Sequence, residues 1–163
     1  MIEIAQTKKR AVVIGGGLLG LECARGLLDQ GMEVTVLHLA DWLMEMQLDR
    51  KAGEMLKADL EKQGMKIELQ ANSKEIIGDK DVEAIKLADG RVIETDLVVM
   101  AVGIRPYTEV AKDSGLDVNR GIVVNDYMQT SDSHIYAVGE CAEHDGKVYG
   151  LVAKLYEQGK VLE

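Results

Sequence analysis

A chain of 163 residues can bury a core without a metal or disulfide staple, and 47% hydrophobic with 29% charged residues is ordinary for a globular protein. The formal net charge of −9 argues against nucleic acid or an anionic membrane surface as partner, since both repel an acidic protein. No apolar run approaches a membrane span and no signal-peptide core precedes Arg10. Cys23 and Cys141 form no C-x-x-C pair, so a reducing, cytoplasmic setting is expected.

Arg10–Ile14 is short, β-branched and apolar, the pattern of a buried parallel strand. It runs into Gly15-Gly16-Gly17 and then a helix ending near Gln30, with Gly20, Ala24, Leu27 and Leu28 on its inner face and Gly31 as its stop. Glu33–His38 is a second strand, and Leu39–Leu48 a longer connection. Asp49 is placed to cap a helix reaching Gln63, with Ala52, Met55, Leu56 and Leu60 as its buried face and Gly64 as its end. Lys66–Leu69 completes a βαβαβ series, which requires a parallel sheet with right-handed crossovers. The strands at Glu75–Gly78, Val82–Leu87 and Arg91–Glu94 then form an antiparallel meander, with Ala88-Asp89-Gly90 as a tight turn. Asp96–Ala101 returns to the parallel sheet.

The predicted fold class is therefore α/β, a Rossmann-like parallel sheet with an antiparallel β-meander insertion. A boundary falls near Gly103–Pro106, giving domains 1–104 and 105–163. Beyond it lie a short helix (Thr108–Ser114), strands at Gly121–Val124 and Ile135–Val138, and a helix from Leu151. About sixty residues are few for an independent core. The second domain is thus expected to be incomplete, and its apolar tail could form a homodimer contact.

The central motif is Gly15-x-Gly17-x-x-Gly20 between a strand and a helix. Gly15 allows the tight turn, Gly17 admits a pyrophosphate against the backbone, and Gly20 lets helix pack on strand. Gly16, Leu18 and Leu19 complete the loop, and the helix N-terminus supplies free N–H groups and a partial positive charge. The ribose-reading position at the end of the second strand falls on His38, where an acid is usual. Leu39 and Asp41 follow and no basic residue comes before Arg50, so NADH is favoured over NADPH.

Gly15-Gly16-Gly17-Leu18-Leu19-Gly20-Leu21-Glu22 resembles the NAD(P)H fingerprint of the pyridine nucleotide–disulfide oxidoreductase superfamily. The resemblance implies that Glu22 faces the nicotinamide side of the pocket. Ala101-Val102-Gly103-Ile104-Arg105-Pro106 resembles the crossing from the NAD domain to the FAD domain. The stretch from Thr130 through Ile135-Tyr136-Ala137-Val138-Gly139-Glu140 resembles the second flavin motif, in which Glu140 would contact the ribityl chain. Residues 105–163 would then be part of an FAD domain.

Leu43-Met44-Glu45-Met46-Gln47-Leu48-Asp49, Gly139-Glu140-Cys141-Ala142-Glu143-His144 and Tyr149-Gly150-Leu151-Val152-Ala153 narrow the resemblance to the large-subunit branch of assimilatory NAD(P)H nitrite reductases. That branch implies an upstream FAD half and downstream domains holding an iron–sulfur cluster and sirohaem. The chain is accordingly expected to be an inactive NADH-binding fragment, with Met1 an artificial start and Leu162-Glu163 a cloning remnant. An NADH-dependent rubredoxin or ferredoxin reductase and a non-catalytic dinucleotide sensor are the alternatives.

Three further features are read as structural. Cys141-x-x-His144 is one pair and makes no metal site. Cys23 is expected to be packing, and Met44, Met46 and Met55 to line the core or an inter-domain surface.

Overall fold

The computed structural model describes residues 2–162; Met1 and Glu163 lie outside them. The described chain divides into two compact units, Met1–Gly103 and Ile104–Glu163.

The first unit begins with one helical turn, α1 (Ile2–Ala5), too short to show a period. It continues as β1 (Arg10–Ile14), α2 (Leu18–Asp29), β2 (Glu33–Leu37), α3 (Arg50–Lys62) and β3 (Lys66–Glu68). The meander follows as β4 (Ser73–Gly78), β5 (Val82–Leu87) and β6 (Val92–Glu94), and β7 (Leu97–Met100) closes the unit. The four parallel strands lie in the order β3-β2-β1-β7, and the meander is a separate antiparallel sheet in the order β4-β5-β6. The predicted fold class is the observed one.

From Ala11 onward strand β1 is apolar, because both its faces are covered. Ala11 and Val13 join a core with Ala24 and Leu27 of α2 and with Val34, Val36 and Leu43. Val12 packs the other way, with Leu37, Ala71, and Ile85 and Leu87 of the meander. The start of β1 is tied to the entry of β7: Asp96 accepts from the Arg10 backbone N–H at 2.9 Å and from its guanidinium at 3.1 Å. Those bonds hold the Asp96 carboxyl down at about 2.

The connection from β2 to α3 is firmly built. Leu43 is fully buried, the Trp42 indole N–H donates to the Leu48 carbonyl at 3.1 Å, and Arg50 stacks over the Trp42 ring while pairing with Asp41. Asp49 caps α3 as predicted, accepting from Ala52 N–H at 2.8 Å. One expectation fails here. Met55 is 66% exposed, because α3 meets the loop through Gly53, where a Cβ would lie 2.6 Å from Trp42 Cδ1. Met46 is also exposed, so these two methionines do not line the core.

The second unit holds α4 (Glu109–Asp113), β8 (Ile122–Val124), β9 (Ala142–His144), β10 (Lys147–Val148) and α5 (Val152–Val161). β8 and β9 are parallel, and β9 and β10 form a hairpin across Asp145-Gly146. Ile135–Val138 is not the predicted strand; it makes one isolated bridge, between Tyr136 and Gln129. The apolar core is small: Val124, Met128, Ala137 and Ala142. Around it, buried Glu143 accepts from Gly121 N–H at 2.9 Å and from Asn119 at 3.3 Å. The Gly121 bond holds its carboxyl below the usual range.

Candidate functional site

Strand β1 lies between β2 and β7, so the chain leaves it on one side and returns on the other. Open parallel sheets form their ligand crevice at such a switch point, outside the carboxyl ends of the strands. Here those ends carry the Gly15–Gly17 turn and the Ala101–Gly103 segment. Both are tied to the neighbouring strand ends: Gly15 N–H donates to Leu37 O of β2 and Ala101 N–H to Ile14 O of β1, each at 2.8 Å. Between them opens a cleft of about 680 Å³, within the range of small-molecule sites.

The four motif glycines differ in what constrains them. Gly15 has a φ of +119°, and a Cβ there would overlap the Ala101 carbonyl. A Cβ on Gly20 would overlap the Gly15 carbonyl, which is how closely α2 approaches the turn. A Cβ on Gly16 would lie 2.6 Å from Leu43 Cδ2 and 2.8 Å from His38 Cγ. A Cβ on Gly17 would have nothing beyond its chain neighbours within 4 Å, and the backbone there is extended (φ −87°, ψ −176°). Three glycines are demanded by the fold, and the fourth faces open space.

Gly17 is also the N-cap of α2, and no side chain caps that 12-residue helix. Its first N–H groups therefore meet the cleft unpaired by the protein, carrying the positive end of the helix dipole. An anion fits there without any basic side chain.

Gly15, Gly16, Gly17, Leu18, His38 and Gly103 all line the cleft. Gly20 is buried beneath it, while Leu19 and Glu22 are exposed on α2 outside the lining. Gly139 and Glu140 belong to the second unit. Gly139 N–H donates to Gln158 of α5 at 2.9 Å, and Glu140 is exposed. The burial of Cys23 raises its thiol, as befits packing against the α2 core.

His38 sits where the strand pattern puts it but not as an open ribose reader. It is 7% exposed and both ring nitrogens are engaged: Nδ1 accepts from Gly16 N–H at 3.0 Å, and Nε2 lies 2.9 Å from Glu45 Oε2. Asp41, read from the sequence as the negative neighbour of the site, instead pairs with Arg50 and lies outside the lining. The charged side chains that do line the cleft are Glu45, Lys74 and Glu75. None was found from the sequence. Glu45 lies within a loop, and Lys74 reaches the cleft only through the meander.

A family model described as pyridine nucleotide-disulphide oxidoreductase matches residues 1–159. The chain belongs to this family. Among its relatives, nitrite reductase [NAD(P)H] of Bacillus subtilis (strain 168) is 62% identical over 99% of this chain and 20% of its own length. The nitrite reductase (NADH) large subunit of Escherichia coli (strain K12) is 44% identical over 96% of this chain and 19% of its own length. The chain thus spans about a fifth of these relatives. Among solved structures, an NAD-dependent persulfide reductase from A. fulgidus is similar with a TM-score of 0.93 and 34% identity, covering 99% of this chain and 31% of that one. As a member of the pyridine nucleotide-disulphide oxidoreductase family, the chain shares with the persulfide reductase the fold that surrounds the glycine turn.

Proposed function

We propose that the first unit binds NADH, with its pyrophosphate on the Gly15–Gly20 turn and the N-terminus of α2. The observation that carries this reading is the uncapped helix start behind Gly17, whose side-chain space is empty where its neighbours' is not. Leu18 and Gly103 would flank the ligand, and Glu22 is kept as the residue nearest the nicotinamide end. Bound NADH supplies a hydride. The protein's part is to hold the pyrophosphate, orient the ring and keep water from it.

In the parent enzyme the acceptor would be FAD, followed by an iron–sulfur cluster and sirohaem, as the resemblance read from the sequence implies; the names of the two bacterial relatives support nitrite as the final substrate. We assign residues 105–163 to the FAD domain, with Gly139 and Glu140 facing the ribityl chain. The residues present fit only that end of a flavin. The sequence holds one Gly-x-Gly-x-x-Gly turn, so the adenine and pyrophosphate of FAD have no cradle among the described residues. Exposed Leu151 and Val152 of the tail are where the rest of the parent would pack, with a homodimer as the alternative. A rubredoxin- or ferredoxin-type acceptor remains the second reading for the parent. Among the described residues no helix is long and apolar enough to cross a membrane.

The test is titration of the purified chain with NADH by calorimetry, beside an absorbance spectrum. Saturable 1:1 binding and no flavin band are expected. A stoichiometric flavin band would contradict the assignment of an incomplete FAD site, and absence of NADH binding would contradict the function itself.

A further inference from the structure

The position that reads the adenine ribose in a dinucleotide fold is the end of the second strand, where an acid accepts from a ribose hydroxyl. This chain has His38 there, and its two ring nitrogens are already used. Because Nδ1 accepts from Gly16 N–H, the ring proton is on Nε2 and is donated to Glu45 Oε2. Glu45 is seven residues further along, yet its carboxylate lies one imidazole away from the glycine turn.

The surrounding loop holds it there. Met44 N–H donates to the Gly16 carbonyl at 3.1 Å, so both backbone polar groups of Gly16 are bound by the segment 38–44. Met44 itself takes a left-handed φ of 58°, uncommon for a residue with a side chain and a mark of a turn fixed by its surroundings. Buried Leu43 on one side anchors the turn, and Glu45 on the other side emerges into the cleft lining. The Glu45 side chain is 35% exposed, and among the described residues Oε1 has no hydrogen-bond partner.

We propose that Glu45, held by His38, is the ribose-reading residue of this site and sets its choice of NADH over NADPH. The inference rests on the proposed dinucleotide binding. Oε1 accepts from the 2′-hydroxyl of the adenosine ribose, and the same carboxylate repels a 2′-phosphate. His38 is a positioning residue that links this choice to the glycine turn. Among the described residues Lys74 is the one lysine or arginine in the cleft lining, and it is the cation that could favour the phosphate instead.

The experiment measures dissociation constants for NADH, NADPH and 2′-deoxy-NADH on wild type, Glu45→Gln, His38→Ala and Lys74→Ala, with thermal unfolding of each. Glu45→Gln keeps an acceptor for His38 and removes only the charge. Wild type is expected to prefer NADH over NADPH by about tenfold or more. Glu45→Gln should shrink that ratio to about threefold or less. His38→Ala should lose most of the difference between NADH and 2′-deoxy-NADH, which a purely structural role would leave intact. An unchanged NADH/NADPH ratio in folded Glu45→Gln would overturn the inference while leaving dinucleotide binding standing. So would a wild-type preference for NADPH that vanishes in Lys74→Ala. If wild type binds none of the three, the underlying reading fails, and the inference with it.

Discussion

In the first unit a strand buried on both faces carries the structure. Val12, Val13, Val34, Val36, Leu37, Leu43 and Ile85 are all at or below 1% exposure, and they belong to two apolar clusters on opposite sides of one sheet. Among the described residues of the second unit one small apolar cluster is buried. Glu143, Gln158 and Thr130 lie inside it instead, tying backbone N–H groups or loop carbonyls at Gly121, Gly139 and Ile135. The first unit thus has the larger apolar core, and in the second, buried polar side chains bond the backbone around a small one. The first kind of order gives a rigid frame to a ligand cleft. The second leaves helix α5 exposed along most of its length, a surface suited to being covered.

The sequence offers a convenient way to compare the two. The single tryptophan, Trp42, is in the first unit, and all five tyrosines are in the second. Trp fluorescence and Tyr absorbance therefore follow separate unfolding transitions. Leu43→Ala should have the largest effect, lowering the stability seen by Trp42 by about 2–5 kcal/mol, because a fully buried leucine leaves a cavity. The Tyr signal should barely move. If both transitions shift together, the two units are one cooperative block and the contrast fails.

Val124→Ala comes next. Removing two methyl equivalents from the second core should cost about 2 kcal/mol, a larger share of a unit with so little apolar burial. Denaturant titration should move the Tyr midpoint and leave the Trp midpoint in place.

How much of this was legible differs between the units for a physical reason. The series β1–α2–β2–α3–β3 announces itself because β1 is an apolar run buried on both faces, β2 alternates, and glycines mark the β1–α2 turn and the ends of α2 and α3. In the second unit β9 is Ala142-Glu143-His144, whose two buried residues are an alanine and a glutamate, so the strand has no apolar signature. The hairpin beyond it was missed too, although Asp145-Gly146, with φ of 50° and 70° in the structure, is a pair suited to a tight two-residue turn. Ile135–Val138 misled in the opposite direction, being apolar and β-branched yet bridged once. In the candidate site, the glycine pattern located the turn and the strand count located His38. Neither could reveal that His38 faces inward to Gly16 or that Glu45 stands behind it, because both are facts of loop packing. Alpha-helical periodicity likewise could not foresee that Gly53 would take the Trp42 ring and leave Met55 outside.

Acid should separate the units by a smaller margin. Both Asp96 and Glu143 have carboxyls held down in the folded state, so each contributes stability that is complete above its unfolded value and lost as pH falls through its folded value. The loss starts below 4.5 for Glu143 and below 3.8 for Asp96, for which it continues to about 2. On stepwise acidification, hydrogen exchange should quicken first at Gly121 and its neighbours, and only later where β1 meets Asp96. Asp96→Asn should flatten the later step alone. Simultaneous loss in both regions would mean that these two carboxylates do not govern the acid response.

The central claim is that the space above Gly17 is kept for a dinucleotide, and calorimetric titration of NADH into wild type and Gly17→Val tests it most directly. Valine adopts the extended backbone found at Gly17, and its Cβ would meet no atom beyond the chain neighbours within 4 Å, so the Trp42 unfolding midpoint should fall only by what a weaker N-cap costs, about 1 kcal/mol. Gly16→Val, by contrast, should unfold the turn. We expect wild type to bind NADH and Gly17→Val to lose most of that binding while remaining folded. Equal affinity in the two proteins would contradict the account.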